Sequence, residues 1–237
     1  MTSEHFQFGT DIEALARLVP LQGRRFVHVG CGDGALSFAL AKRGASMLGV
    51  ESDPERAREN RALGSVQGVT LAEGYAQNLP QNDGTVDGVI MLDFLSRVDA
   101  VDMDDCLTEA CRVLKENDGL LYVGDNDSSG FYDDMVRMFY DNSAERTWAL
   151  DALRRLPHDV ASSVREIHYV LKRQFTDFES FAGSFLALNE TRLMIENMNS
   201  AHVRTVFEQG RKGNIFEFEQ ARRVNLYRTG TFAPVGA

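Results

Sequence analysis

The regular alternation of strand-sized and helix-sized segments is the feature that most limits what this chain can fold into. Strand-sized apolar runs occur at 24–30, 46–51, 69–74, 86–92 and 119–125, and longer segments with helical periodicity lie between them. Runs that are almost wholly apolar are typical of parallel strands whose two faces are both covered by helices. We therefore predict an α/β fold with a doubly wound, mostly parallel sheet and right-handed crossovers.

The helix-sized segments carry start and stop signals. Residues 11–19 have apolar side chains at helical spacing, so a helix is expected to lead into the first strand. The segment that begins at residue 35 ends at Gly44, a residue that favours the end of a helix. Asp53 can cap the next helix, because Pro54 follows it in the favoured first position. The pattern thus predicts repeated strand, turn and helix units.

The rhythm changes after Asp125. The later segments are a polar loop at 126–130, two helices within 131–156, a sixth strand at 164–175, helices at 176–188 and 190–210, and a last strand at 215–228. We expect seven strands in total, with the last one antiparallel to its neighbours. We also expect a single domain over 1–237, with a helical lid inserted at 126–162 after the fifth strand.

Three glycines at alternate positions, Gly30, Gly32 and Gly34, follow the first strand. Glycines allow a sharp turn and the close approach of a ligand, and the helix that follows presents backbone N–H groups. Glu51, at the end of the second strand, can accept hydrogen bonds from both hydroxyls of a ribose. The pattern predicts a nucleoside cofactor, but GCGDGA suits a nicotinamide enzyme as well as an S-adenosylmethionine enzyme.

Four stretches, in order and at ordinary spacing, resemble the motifs of the class I S-adenosylmethionine-dependent methyltransferases of small-molecule type. They are FVHVGCGDGAL, GVESDP, the segment 72–98 that begins AEGYAQNLP, and ACRVLKENDGLLYV. The resemblance covers most of residues 10–125. It implies a Rossmann-like fold, S-adenosyl-L-methionine as cofactor and methyl transfer to a small-molecule acceptor.

The resemblance also implies which residues contact the cofactor. They are His28, Gly30, Cys31, Gly32, Gly34, Glu51, Ser52, Asp53, Tyr75, Ala76, Leu92 and Asp93. The glycines are expected beside the methionine and ribose parts and Glu51 on the ribose diol. Ser52 and Asp53 are expected beside the adenine, Ala76 on the adenine edge, and Leu92 with Asp93 below the sulfonium. Two positions depart from the family pattern, because His28 and Tyr75 stand where an acidic residue is usual. A neutral imidazole can accept a hydrogen bond from the ammonium group of the cofactor, whereas a protonated one would repel it.

The acceptor is expected over the strand ends, where the segments 1–10 and 126–162 would close over it. These segments supply Phe6, Phe8, Phe131, Tyr132, Met135, Met138, Phe139, Tyr140 and Trp148, which either enclose a ring-shaped acceptor or pack a core. Oxygen and nitrogen acceptors can require a base. The candidate catalytic residues are Asp93, Asp125, Asp127 and His158, with loop capping as the alternative role. His168, inside a strand, is interpreted as structural.

Composition limits the partners. The net charge of −10 opposes binding to nucleic acid, and no long apolar run indicates a membrane segment. Three cysteines without a C-x-x-C pair favour neither a disulfide framework nor a metal site, so we expect no metal. The first residues do not have the pattern of a signal peptide, so we expect a cytoplasmic location, and we expect a monomer or homodimer. Two other functions stay open. One is a non-catalytic cofactor-binding protein, and the other is a nicotinamide-dependent oxidoreductase.

Overall fold

The computed structural model describes residues 6–62, 68–157, 160–185 and 192–230. The strands are β1 (Phe6–Phe8), β2 (Arg25–Val29), β3 (Ser46–Glu51), β4 (Val69–Glu73), β5 (Gly88–Leu92), β6 (Leu120–Asn126), β7 (Ala161–Phe175), β8 (Arg211–Lys212) and β9 (Ile215–Thr229). The helices are α1 (Asp11–Leu18), α2 (Ala35–Ala41), α3 (Pro54–Ala62), α4 (Met103–Val113), α5 (Phe131–Arg137), α6 (Ser143–Arg155), α7 (Phe178–Gly183), α8 (Arg192–Met198) and α9 (Ala201–Glu208). A short 3-10 helix covers Leu95–Arg97.

The chain divides into two compact units. The first takes its described residues from Met1–Thr10, Asn126–Ala144 and His168–Arg223. The second consists of Asp11–Asp125, Glu145–Ile167 and the described part of Val224–Ala237. Because the boundaries fall within β7 and β9, these two long strands contribute residues to both units. The interpretation as a single domain with a lid at 126–162 stays a prediction.

The second unit contains the parallel sheet that the alternation predicted. Its strands are ordered β4-β3-β2-β5-β6, and every neighbouring pair among them is parallel. His28 of β2 lies between Gly49 of β3 and Ile90 of β5. The carboxyl ends of β2, β3 and β5 therefore meet at one edge, and the doubly wound prediction is confirmed.

The last strand, β9, is antiparallel, as predicted. Thr229 donates its backbone N–H to the carbonyl of Gly119 at 3.0 Å, and Asp127 donates to Ala221 at 2.9 Å. The residue numbers of the partners change in opposite directions between these two pairs, which is the mark of antiparallel strands. β9 follows β6 in the strand order, so it closes the parallel series on that side.

The core of the second unit lies between the sheet and its helices. It includes Val27, Val89 and Leu121 from central strands and Met103 and Leu107 from α4, all of them buried. Cys106 and Cys111 are buried on the same helix, so their interpretation as small apolar residues is confirmed. Almost wholly apolar strands are thus explained by helix cover.

The first unit has an aromatic core of its own. Tyr132 and Phe139 come from the segment that was expected to close over an acceptor, and both rings lie edge-on to Phe181. Met135 is fully buried in the same cluster. These three side chains therefore pack the core of their unit, which was the second of the two roles considered for them. Phe131, Met138 and Trp148 are exposed.

The described residues hold two more strands than the seven expected, β1 and β8. β1 has three residues and pairs in parallel with β7, from Phe6 opposite Tyr169 to Phe8 opposite Leu171. β8 has two residues and pairs with the start of β9. Strands of this length contain too few residues for an alternating pattern to be visible in the sequence.

Candidate functional site

The glycine turn follows β2 and is held against the end of β3. The backbone N–H groups of Gly30 and Cys31 both donate to the carbonyl of Val50, at 2.9 and 3.1 Å. Gly30 has a φ of +67°, and a Cβ built there would lie 2.3 Å from Cδ2 of Phe94. The phenyl ring therefore packs directly on the Cα of Gly30, and this position requires glycine for two independent reasons.

Glu51 is buried at the end of β3, and its carboxylate organises the turn. Oε2 accepts the backbone N–H of Gly32 at 2.8 Å, and Oε1 accepts the backbone N–H of Asp53 at 2.9 Å. Only 7% of the residue is exposed. Glu51, the residue predicted to bind a ribose, also joins the turn after β2 to the turn after β3.

His28 lies beneath the turn as a neutral residue. Its Nδ1 shares a hydrogen bond with Oγ of Ser37 at 3.1 Å, and both residues are buried. Burial lowers the pKa of His28 to about 4, although the nearby carboxylate of Asp33 raises it in part. The repulsion that a protonated imidazole would exert on a cofactor ammonium is therefore absent near neutral pH.

Cys31 turns its side chain away from the open side of the turn. A Cβ built on Gly49 of β3 would lie 2.8 Å from Sγ of Cys31, so the thiol packs against the sheet. Burial and the carboxylate of Glu51 raise the pKa of this thiol to about 12. Cys31 can therefore face a cofactor only through its backbone.

A pocket of about 210 Å³ opens beside the glycine turn. Its lining includes Gly30, Val50, Ser52, Gly74, Tyr75, Ala76, Phe94 and Arg97. Ala76 is buried, whereas Tyr75 is 60% exposed and its ring is accessible for stacking. The pocket thus brings together the glycine turn, the end of β3 and the loop after β4, as the resemblance implied.

The side chains of Asp53 and Asp33 accept hydrogen bonds from nearby backbone N–H groups. Oδ1 of Asp53 accepts the N–H groups of Glu55 and Arg56, at 3.0 and 2.8 Å, so it starts α3. Oδ1 of Asp33 accepts the N–H of Ala35 at 2.9 Å. The expected place of Asp53 beside an adenine stays a prediction.

Leu92, Asp93 and Asp125 lie at the carboxyl ends of β5 and β6. Asp93 adopts a φ of +50°, uncommon for a residue with a side chain, and donates its N–H to the carbonyl of Gly124 at 2.8 Å. Asp125 is buried. Backbone strain of this kind is concentrated at functional sites. The catalytic role of Asp93 stays a prediction.

In the first unit, Asp127 pairs with a histidine that sequence reasoning had interpreted as structural. Oδ2 of Asp127 lies 2.8 Å from Nδ1 of His168, 41 positions further along the chain. The side chain of His168 is 43% exposed. The fourth candidate catalytic residue, His158, lies outside the described residues.

A parallel sheet with a glycine turn after one strand and a buried carboxylate at the end of the next defines a Rossmann-like protein that binds a nucleoside cofactor. Residues 27–123 match the family described as the methyltransferase domain. This part of the chain is similar to class I methyltransferase domains, for which S-adenosylmethionine is the methyl donor.

Two curated relatives show where the similarity extends. A ubiquinone biosynthesis O-methyltransferase of Xylella fastidiosa strain 9a5c is 28% identical over 115 residues, which are 47% of this chain and 46% of the relative. The 23S rRNA (uracil(1939)-C(5))-methyltransferase RlmD of Shewanella sp. strain ANA-3 is 42% identical over 65 residues, 26% of this chain and 14% of that protein. The chain thus spans under half the length of these relatives.

Solved structures share the fold at low sequence identity. BH2331 from Bacillus halodurans has a TM-score of 0.61 and 17% identity, with 93% of this chain and 99% of that chain covered. The 4+2 cyclase SpnF has a TM-score of 0.57 and 16% identity, with 93% and 79% covered. Because one of these proteins is a cyclase, the fold by itself does not define the reaction.

The residues present fit the nucleoside part of S-adenosylmethionine. No heavy atom lies within 4 Å of a Cβ built on Gly32, so the space above this residue is open to a ligand. Each oxygen of Glu51 accepts one backbone N–H and retains acceptor capacity for a hydroxyl. At about 210 Å³, the pocket is smaller than the usual 300–1,000 Å³ of a ligand site, which suits the nucleoside rather than the whole cofactor.

Sequence reasoning missed three residues that support the site. Ser37 bonds His28, Phe94 covers Gly30, and Asn60 donates to the carbonyl of Gly32. Ser37 and Phe94 contact residues of other elements, and such contacts cannot be read from a local sequence pattern. Local pattern does not mark Asn60 either, because it lies in a polar helix and its burial is visible only in the structure.

Proposed function

We propose that the protein transfers a methyl group from S-adenosylmethionine to an oxygen atom of a small-molecule acceptor. The observation that carries the proposal is the buried Glu51, bonded to Gly32 and Asp53 beside an open glycine turn in a matched methyltransferase domain. The name of the Xylella relative, an O-methyltransferase, supports the choice of oxygen.

S-adenosylmethionine supplies an electrophilic methyl group on a sulfonium, so the protein has to bind, align and exclude water rather than form a covalent intermediate. We assign the ribose to Glu51, the adenine to the pocket walls at Ser52 and Ala76, and the methionine side to Gly30 and His28. The neutral state of His28 supports this assignment, because a neutral imidazole can accept a hydrogen bond.

A phenol or alcohol acceptor loses a proton during methyl transfer, and the Asp127–His168 pair is suited to take it. A carboxylate can only accept a hydrogen bond, so Nδ1 of His168 donates to Asp127, and Nε2 is the ring nitrogen assigned to take the proton. Asp93 and Asp125 are assigned to the cofactor side of the strand ends. His158 stays a candidate base.

A small acceptor is supported over a nucleic acid, although RlmD is named for an rRNA. The net charge of −10 disfavours contact with a phosphate backbone. The three cysteines are free, which supports a reducing, cytoplasmic location. We also propose that the protein is a monomer or a homodimer. No helix in the described part of the chain is long and apolar enough to cross a membrane.

Calorimetric titration tests the cofactor first, with S-adenosylmethionine and S-adenosylhomocysteine as ligands and NAD as the control. Binding of the first two alone is expected, whereas binding of NAD alone would favour an oxidoreductase. A screen with methyl-labelled cofactor then compares phenols and catechols with amines and total RNA. Transfer to none of these despite tight cofactor binding would favour a non-catalytic protein or a reaction such as that of the cyclase neighbour.

A further inference from the structure

Gly32, in the middle of the glycine turn, is held by hydrogen bonds on both of its polar groups. Its carbonyl accepts Nδ2 of Asn60 at 2.8 Å, and its N–H donates to Oε2 of Glu51 at 2.8 Å. Asn60 lies near the end of α3, so a helix side chain reaches back to the turn from 28 positions further along the chain. The three residues form a chain of contacts from α3 to the carboxylate.

No side chain packs against Gly32 on the side where a Cβ would stand. Its φ is +55°, and a Cβ built there would find no heavy atom within 4 Å. Gly30, two positions earlier, is instead covered by the ring of Phe94. No side chain fills the space beside Gly32, so the two hydrogen bonds are the contacts by which α3 and the end of β3 reach this residue.

Asn60 has a polar amide side chain that is buried, and burial of such a group costs free energy unless it is hydrogen-bonded. Only Ala57 and Asn60 are buried among the nine residues of α3, and Asn60 is 5% exposed. A buried amide without a partner would cost free energy, so its bond to Gly32 is necessary for this position to be tolerated. A helix that needed only packing there would be better served by alanine or leucine.

The position of Gly32 matters because the carboxylate of Glu51 can accept further hydrogen bonds. Each carboxylate oxygen has about two acceptor directions, and a backbone N–H already uses one on each. The remaining directions, one per oxygen, can serve two vicinal hydroxyls at once. The bonds to Gly32 and Asp53 hold the carboxylate at both ends and thereby set the direction of these remaining acceptor sites.

We propose that Asn60 is a positioning residue for ribose recognition, acting through Gly32 on Glu51. The inference rests on the proposed function in one respect, because the ribose is taken to be that of S-adenosylmethionine. Asn60 itself touches no ligand. Its effect is to fix the turn so that Glu51 accepts the 2′ and 3′ hydroxyls together.

The first test uses the ligand-free protein and measures amide hydrogen exchange at Gly32 by NMR. Asn60→Ala removes the donor, and Asn60→Asp keeps the shape but presents an acceptor to the carbonyl. Exchange at Gly32 is expected to become about fivefold to tenfold faster in both variants, as for the loss of one hydrogen bond. Unchanged exchange in both would overturn the proposal.

Asn225→Ala is the matched control. Asn225 is 6% exposed and donates Nδ2 to Glu166 at 2.8 Å, so it resembles Asn60 in burial and bonding. It lies on β9, which in the strand order is three strands away from β2. The control is expected to lower stability to a similar degree and to leave exchange at Gly32 unchanged.

The second test compares binding of S-adenosylhomocysteine with binding of its 2′,3′-dideoxy analogue. The preference for the natural nucleoside is expected to fall about fivefold or more in Asn60→Ala and to persist in Asn225→Ala. An equal loss of affinity for both ligands would mean that Asn60 is only structural. Failure of the unaltered protein to bind either ligand would overturn the proposed function and the ribose role together, while exchange at Gly32 still decides whether Asn60 holds the turn.

Discussion

Nδ1 of His28 lies 3.1 Å from Oγ of Ser37, and both side chains are buried beneath the glycine turn. His28 stands where the methyltransferases that the sequence resembles usually have an acidic residue. Because burial lowers the pKa of His28 from 6.5 to about 4, the site presents a neutral hydrogen-bonding group instead of a negative charge. Proton binding at this position is thereby linked to folding.

The free energy of unfolding is therefore expected to decrease as the pH is lowered through the titration range of His28. The unfolded state binds the proton more tightly, so the contribution is fully present above pH 6.5 and is lost as the pH falls towards 4. At about pH 5 the loss amounts to about 2 kcal/mol. Urea unfolding at pH 7.5 and 5 measures it. His28→Gln should remove this loss and His202→Gln, at an exposed position on α9, should retain it; equal losses in all three proteins would contradict the assignment.

Glu51→Ala is expected to weaken binding of S-adenosylhomocysteine at least about tenfold, because two hydrogen bonds to a charged group are lost. Glu73→Ala is the matched control. Glu73 lies directly opposite Glu51 on β4, but it is exposed and pairs with Arg61 at 2.9 Å. Calorimetry of the two variants tests the ribose assignment, which fails if Glu51→Ala binds as tightly as the control.

Gly30→Ala is expected to destabilise the fold by several kcal/mol, because the new Cβ meets the Phe94 ring in addition to the strained φ. Gly23→Ala isolates the strain alone, since Gly23 has a φ of +72° and open space around it. That variant should cost about 1 kcal/mol. Urea unfolding compares them, and Phe94→Leu should recover part of the loss in Gly30→Ala only. Equal losses of stability in the two glycine variants would show that the Phe94 ring moves aside at no cost in free energy.

Asp127→Asn and His168→Ala are each expected to lower kcat about a hundredfold with an oxygen acceptor found in the screen, with little change in KM. The double variant should be no worse than His168→Ala, because the two side chains act as one unit. His202→Ala, outside the pair, should retain full activity. Additive losses, or losses confined to KM, would assign Asp127 and His168 to structure or binding.

Local pattern was sufficient for the parts of the molecule whose determinants are local. Apolar runs and helical periodicity predicted β3 at 46–51 without error and the remaining central strands to within two residues, because each strand is covered by helices on both faces. The glycine spacing predicted the sharp turn after β2, and the sequence placed Glu51 at the end of β3. A strand-to-helix turn and a strand end are short, contiguous features.

The sequence by itself determined the α/β order, the glycine turn after β2 and the acidic residue at the end of β3. Only the tertiary structure decided that His28 is neutral against Ser37, that Phe94 fills the space at Gly30, and that Asn60 holds Gly32. It also paired Asp127 with His168 across 41 positions. These relationships depend on how strands register and which helix faces pack, and that information is carried by contacts between distant segments rather than by any one of them.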